Sequence, residues 1–219
     1  MKRTSRASRQ AGFSLIEISV VVAISVIVTV MAVSTYLSTS AYLRMAGDLR
    51  SLNGVVAQAK MRAAADFTRA RAYADLNGSG YQLQVWFKAG NCWVLDSDPT
   101  NTCIVFNGSA PTGSVFTLAR GDNFGFAGLA SGPTPGQAAI VQGTPAAQCL
   151  DNAGNAIGNT TCVLFNSRGI PVNPTTLAPT ATGAFYLTNQ KVVTSVTVSG
   201  TGSIQTWSTP ISNPHWMGQ

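Results

Sequence analysis

Glu17 is the single glutamate in a chain of 219 residues, and it stands in the run GFSLIEISVVVAISVIVTVM, Gly12 to Met31, which holds no other charge. A carboxylate at the centre of a bilayer costs a few kcal/mol on insertion scales, and such residues usually mark a function. Other groups able to do chemistry are few. Asp96-Ser-Asp98 and Asp151-Asn-Ala-Gly-Asn155 have the look of calcium loops. Each offers only a few side-chain oxygens where calcium takes about six to eight, and turn formation explains both equally well. His215 is the lone histidine, so a Ser-His-Asp triad would have to use it, and no G-x-S-x-G is present to hold the serine. No glycine-rich phosphate loop of the right spacing occurs either. Enzymatic activity is therefore not expected, nor is a cofactor or a resident metal.

Basic residues raise a second possibility. Lys60, Arg62, Arg69 and Arg71 form the cluster best placed for a phosphate backbone, with a solvated helix face or ion pairs between subunits as the competing explanation. Trp207 and Trp216 are of a type that stacks on bases, but no arginine stands in the stretch Gly202–Trp207. The net charge of +6 misleads until it is mapped. Lys2, Arg3, Arg6 and Arg9 give +4; the stretch 44–75, with six basic residues against Asp48, Asp66 and Asp75, gives +3. From Leu76 onward Lys88, Arg120, Arg168 and Lys191 balance Asp96, Asp98, Asp122 and Asp151. The distal part is thus neutral and offers no charge argument for nucleic acid.

Cys92, Cys103, Cys149 and Cys162 are an even set behind an export-type N-terminus, which reads as disulfides in an oxidising compartment. Of three connectivities the two local ones, Cys92–Cys103 and Cys149–Cys162, are favoured; each closes a loop of about a dozen residues, worth roughly 3 kcal/mol in the chain-entropy model. Zinc competes weakly, because no C-x-x-C occurs.

These groups need elements to position them. Residues 1–12 are polar and basic, and Phe13 to Leu37 is apolar apart from Glu17 and scattered Ser and Thr. That run is long enough to cross about 30 Å of hydrocarbon as a helix and longer than the h-region of a secretory signal. A signal-anchor, a cleaved signal ending near residues 32–41, and a third reading compete. The third rests on GFSLIEI: a short basic leader ends in Gly12, Phe13 follows, and Glu17 is fifth after the junction. This stretch resembles the type IV prepilin signature of type IV pilins and type II secretion pseudopilins. The resemblance implies cleavage by prepilin peptidase between Gly12 and Phe13, N-methylation of Phe13, and a Glu17 carboxylate that pairs with the amine of a neighbouring subunit during assembly. A buried charge is tolerated only with such a partner. Many major pilins carry a proline within this apolar segment, whereas residues 13–68 contain none. A straight or gently curved helix is expected.

Beyond Leu37 an amphipathic pattern begins. Tyr42, Ala46, Leu49, Leu52, Val56, Ala59, Ala63, Phe67 and Ala70 recur at helical steps, a stripe suited to packing on a sheet. Leu76–Tyr81 is expected to break the helix. Strand signals follow at Tyr81–Phe87, Trp93–Leu95, Cys103–Phe106, Ser114–Leu118, Thr161–Phe165, Ala184–Thr188, Val192–Ser199 and Ser203–Trp207, with a hairpin about Asn189-Gln190 and a Gly/Pro/Ala-rich loop over Ala127–Ala147. The expected fold is α+β: one long N-terminal helix packed on an antiparallel sheet domain.

Within that order, Val163–Pro171, Phe185-Tyr-Leu187 and Val192–Ser203 resemble the C-terminal half of the GspH/FimT class of minor pilins and pseudopilins. The two resemblances together imply a cleaved leader at 1–12, a transmembrane and filament-core helix at 13–37, a helical spine at 38–75 and an exported β-rich domain at 76–219. They imply a structural subunit, minor rather than major, of a pilus or pseudopilus. The alternative is a DNA-binding or adhesive subunit at a filament tip. Implied partners are other pilin subunits, prepilin peptidase, an inner-membrane assembly platform and membrane lipids, with DNA weakly supported. The implied location is the bacterial inner membrane, N-terminus cytoplasmic and C-terminal domain periplasmic, and afterwards the filament.

Overall fold

The computed structural model describes residues 14–106, 116–129, 132–133, 148–180 and 182–219. The chain divides into two compact units, Met1–Tyr42 and Leu43–Gln219, and one α-helix, α1 (Leu15–Ala65, 51 residues), supplies residues to both. In the first unit the large apolar side chains from Leu15 to Leu37 are each more than half exposed. Hydroxyls in this stretch turn back on the helix itself. Ser25 Oγ donates to Val21 O (2.8 Å) and Thr29 Oγ1 to Ser25 O (2.7 Å); Ser19, Thr35 and Ser40 do the same one turn back. Such bonds satisfy a hydroxyl where water is absent. Among the described residues this is the one helix long and apolar enough to cross a membrane.

The second unit is built on two antiparallel sheets. The first contains β1 (Ala70–Asp75), β2 (Gly80–Phe87), β3 (Cys92–Leu95), β4 (Phe116–Thr117), β6 (Thr160–Phe165) and β7 (Pro171–Val172). Its order is β3-β2-β1-β6-β7, with β4 pairing β2. The second contains β5 (Asn123–Phe124), β8 (Thr182–Thr188), β9 (Val192–Ser199), β10 (Ile204–Pro210) and β11 (Met217–Gly218), in the order β11-β10-β9-β8-β5. The β8–β9 hairpin turns at Asn189-Gln190 as expected: Asn189 Oδ1 accepts from Lys191 N (3.0 Å) and Val192 N (2.9 Å), and Gln190 takes φ +66°.

The helical stripe does pack on the sheets. Leu49, Leu52, Val56, Ala59 and Ala63 are buried in the main core with Ala70, Ala72, Phe165, Phe185 and Val196. The small side chains of Ala59 and Ala63 bring helix and strands close. Three members of the stripe depart from it: Tyr42 and Phe67 are exposed, and Met45 is buried where Ala46 was expected.

The extent of the helix also differs from expectation. It stops at Ala65, and residues 70–75, read above as helical spine, are strand β1. Thr68 N donates to Ala63 O (3.1 Å) and Phe67 N to Ala64 O (3.4 Å), while Phe67 adopts φ +48°. This is a Schellman C-cap with phenylalanine in the place where glycine is usual, so no glycine announces the stop. The Ala/Arg composition of β1 favours helix, but β1 pairs with β2 on one side and β6 on the other along its whole length, and that pairing prevails. Cys103–Phe106 is likewise not a strand. Its backbone bonds run from Ile104 N to Trp93 O (2.8 Å) and from the Asn152 side chain to Ile104 O. The strand expected over Ser114–Leu118 is described only at β4, and most of the loop expected over 127–147 lies outside the described residues.

Candidate functional site

Two places gather the residues singled out by sequence. The first is the start of α1. Gly12 and Phe13 lie outside the described residues; the helix begins two positions later and Glu17 stands in its first turn, its amide donating to Ser14 O (3.0 Å). Both ion pairs among the described residues belong to Arg62, so Glu17 has none there. A lone carboxylate therefore stands among exposed apolar side chains. That arrangement suits a helix that passes from lipid to a packed bundle and meets a cation in the bundle.

The second place is the face of the first sheet turned away from the helix. β1 is covered on both faces. Ala70, Ala72 and Ala74 point to the helix-side core, while Arg71 and Tyr73 point the other way, among Cys149, Cys162, Trp93 and Phe106. Cross-strand register sets this geometry. Arg71 lies opposite Gln84 on β2 and Leu164 on β6, and Trp86 lies opposite Trp93. The two indoles meet edge to face at 5.1 Å. Arg71, 2% exposed, holds its guanidinium 3.9 Å from the Trp93 ring centroid; its Nε donates to Gln84 Oε1 (2.7 Å) and its Nη1 to Leu150 O (2.6 Å). Burial pushes Arg71 down to about 9; Tyr73 and, less strongly, Asp151 oppose that push and Arg69 adds to it; the group stays charged at neutral pH. Arg69 lies 4.3 Å from the Trp86 centroid, and burial lowers it too.

The disulfides form a cover over this face. Cys92–Cys103 and Cys149–Cys162 are the bonded pairs, in the local pairing favoured from sequence. Asn152 joins the two loops: its Oδ1 accepts from Trp93 N (2.8 Å) and its Nδ2 donates to Ile104 O (2.8 Å). Of the aspartates in the calcium-like stretches, Asp98 and Asp151 are occupied as turn formers and Asp96 bonds Arg62. Asp98 accepts from Thr100 N, Thr100 Oγ1 and Thr102 N, which lowers its carboxyl to about 2. Asp151 accepts from Ala153 N and Asn155 N, and its carboxyl is lowered chiefly by the Asn155 amide.

The four basic residues proposed for nucleic acid do not form one patch. Lys60 Nζ donates to Gly202 O (2.9 Å), at a turn of the second sheet. Arg62 pairs with Asp66 (3.7 Å) and bonds Asp96. Arg71 is inside the protein, and Arg69 shares its face and a cavity of about 260 Å³ between β1, β2, β3 and the second disulfide loop. The part of Trp86, Trp93 and Asn152 was not evident from sequence. The i, i+2 spacing of Arg69 and Arg71 does place both on one face, but only once the segment is known to be a strand.

Residues 7–33 match the family model of the prokaryotic N-terminal methylation motif. No curated protein and no solved structure matches the chain. The motif and the long apolar N-terminal helix together support a type IV pilin-like protein.

Proposed function

We propose that the chain is a structural subunit, minor and GspH/FimT-like, of a type IV pilus or of a type II secretion pseudopilus. One observation carries this reading. The methylation motif at residues 7–33 runs directly into a helix whose apolar side chains, Leu15 to Leu37, are all exposed. Such a face is stable only in lipid or against other helices. The chain supplies both phases. In the membrane, Lys2, Arg3, Arg6 and Arg9 hold the leader on the cytoplasmic side and the residues beyond Leu37 are exported. Prepilin peptidase then cuts between Gly12 and Phe13, and Phe13 becomes a methylated N-terminus. As an inner-membrane platform lifts the subunit out of the bilayer, neighbouring helices replace lipid, and the Glu17 carboxylate takes the Phe13 amine of an adjacent subunit as its counter-ion. An unpaired carboxylate in the bundle costs several kcal/mol, so docking selects the register that pairs it. The role is assembly, without catalysis.

The alternative of a DNA-binding tip subunit is not adopted. Arg71 is enclosed, Arg62 is paired with carboxylates and Lys60 is bonded to a turn, which leaves a phosphate backbone little to hold. Glu17→Ala tests the assembly reading. Membrane insertion stays intact and incorporation into sheared filaments falls about tenfold or more; unchanged incorporation would remove the pairing role.

A further inference from the structure

Arg71 carries its charge into the interior without an ion pair among the described residues. Its two hydrogen-bond acceptors, Gln84 Oε1 and Leu150 O, are neutral, and its Nη2 is buried without a partner among the described residues. Arg69 lies on the same face, so two like charges share one partly enclosed cavity. Burying a charge is costly unless it is paired. Of the chain's own carboxylates, Asp151 is the one that acts on Arg71, and it makes no ion pair with it. Asp48 accepts from Ala119 N, Asp66 and Asp96 face Arg62, and Asp75, Asp98 and Asp151 cap their own turns. Asp122 lies beside Asp48, and Glu17 stands in the first turn of α1. No residue outside the described set is acidic. Asp151 offsets only one of the two positive charges in the cavity, and an anion to offset the other must come from another molecule.

We propose that the cavity is a binding site for a monoanionic carboxylate. Arg69, half-buried and reachable, meets the carboxylate; Arg71 behind it supplies the buried charge and the unused Nη2 donor. The indoles of Trp86 and Trp93 cover the apolar body of the ligand. The class follows from charge and volume. Arg69 and Arg71 against Asp151, which also lines the cavity, leave a net charge of +1. A phosphate monoester, at about −1.5 to −2, exceeds that and would be pressed against Asp151. The volume of about 260 Å³ equals roughly nine waters' share of liquid, room for a small aromatic acid or one acidic side chain. Asn152 and the two disulfides hold the rim, so the cavity exists before the ligand arrives. This inference does not rest on the filament reading.

The test uses the full chain in detergent, with saturation-transfer NMR and tryptophan fluorescence as readouts. The probes are benzoate, its neutral counterpart benzamide, inorganic phosphate, and a short peptide carrying one Glu beside the same peptide with Gln. The expected result is that a carboxylate probe binds at least about tenfold more tightly than its amide counterpart. Arg69→Gln weakens that binding about tenfold at an unchanged unfolding midpoint. Binding of benzoate assigns the site to free acids, and binding of the Glu peptide alone assigns it to a side chain of a protein partner. The proposal is overturned if neither carboxylate binds, if the amides bind as well, if phosphate binds more tightly, or if Arg69→Gln leaves the affinity unchanged. In those cases Arg71 is a structural tie between β2 and the second disulfide loop.

Discussion

Lys60 sits where the helix and both sheets of the second unit converge, and Gly202→Ala tests that junction. Gly202 adopts φ +78°, and a Cβ placed there would lie 2.6 Å from the carbonyl oxygen of Gly169 and 3.4 Å from Lys60 Nζ. The left-handed backbone alone costs a non-glycine residue about 1–2 kcal/mol. The clash is with backbone rather than with a flexible side-chain end, so one of the two turns must move. Either movement disturbs the Lys60 Nζ to Gly202 O bond of 2.9 Å, a charge-assisted bond worth about 1.5–3 kcal/mol. The sum is about 2.5–5 kcal/mol, on the order of 10 °C in Tm for a domain of this size. Gly121→Ala is the internal control, because Gly121 has φ +96° with no atom within 4 Å of its Cβ position. It carries the backbone cost alone, about 1–2 kcal/mol. Denaturant unfolding of the full chain in detergent, compared at equal m-values, separates the two. If Gly202→Ala costs no more than Gly121→Ala, the turn-on-turn packing around Lys60 is wrong.

Three further predictions address other features. Phe67→Gly raises stability by about 1 kcal/mol, since Phe67 is 75% exposed and holds φ +48° at the helix C-cap; a loss in chemical denaturation would show that the phenyl ring packs after all. Asp122 is 5% exposed and its carboxyl is raised to about 6, by burial first and then by the Asp48 charge beside it. The fold therefore binds this proton more tightly than the unfolded chain, and stability falls as pH rises from about 4 to about 6. Asp122→Asn removes that slope and adds about 1–3 kcal/mol at pH 7; an unchanged pH profile of Tm would sink the assignment. Non-reducing peptide mapping returns the Cys92–Cys103 and Cys149–Cys162 peptides, and a Cys92–Cys149 peptide would contradict the cover over the sheet.

What was legible in the sequence had a periodic or local cause. The run from Leu15 is apolar apart from Glu17 and scattered Ser and Thr, the stripe from Leu49 to Ala63 follows helical steps, and β2, β6, β8 and β9 alternate or are rich in β-branched residues, so their types could be read directly. The local disulfides follow from short spacing. What was missed depends on tertiary context. β1 is written ARAYAD, a sequence that favours helix and becomes strand only because two neighbours pair with it. The helix stop uses Phe67 in a conformation usually taken by glycine. The strands β5, β7 and β11 have two residues each and carry no period at all. The misreading of β1 carried over to the site. With 70–75 taken as helix, Arg69 and Arg71 fell on a solvated surface, whereas the strand turns both toward Trp86 and Trp93 and encloses Arg71.

The proposed role in assembly requires that the N-terminal signature be processed and that its helix then enter a filament. Intact-mass and N-terminal peptide mass spectrometry of the mature protein, recovered from its native host, tests this most directly. The expected result is a chain beginning at Phe13 with one methyl group on its amine and with Glu17 retained. A chain beginning at Met1, or one beginning near Ala41 with the apolar helix removed, would contradict it.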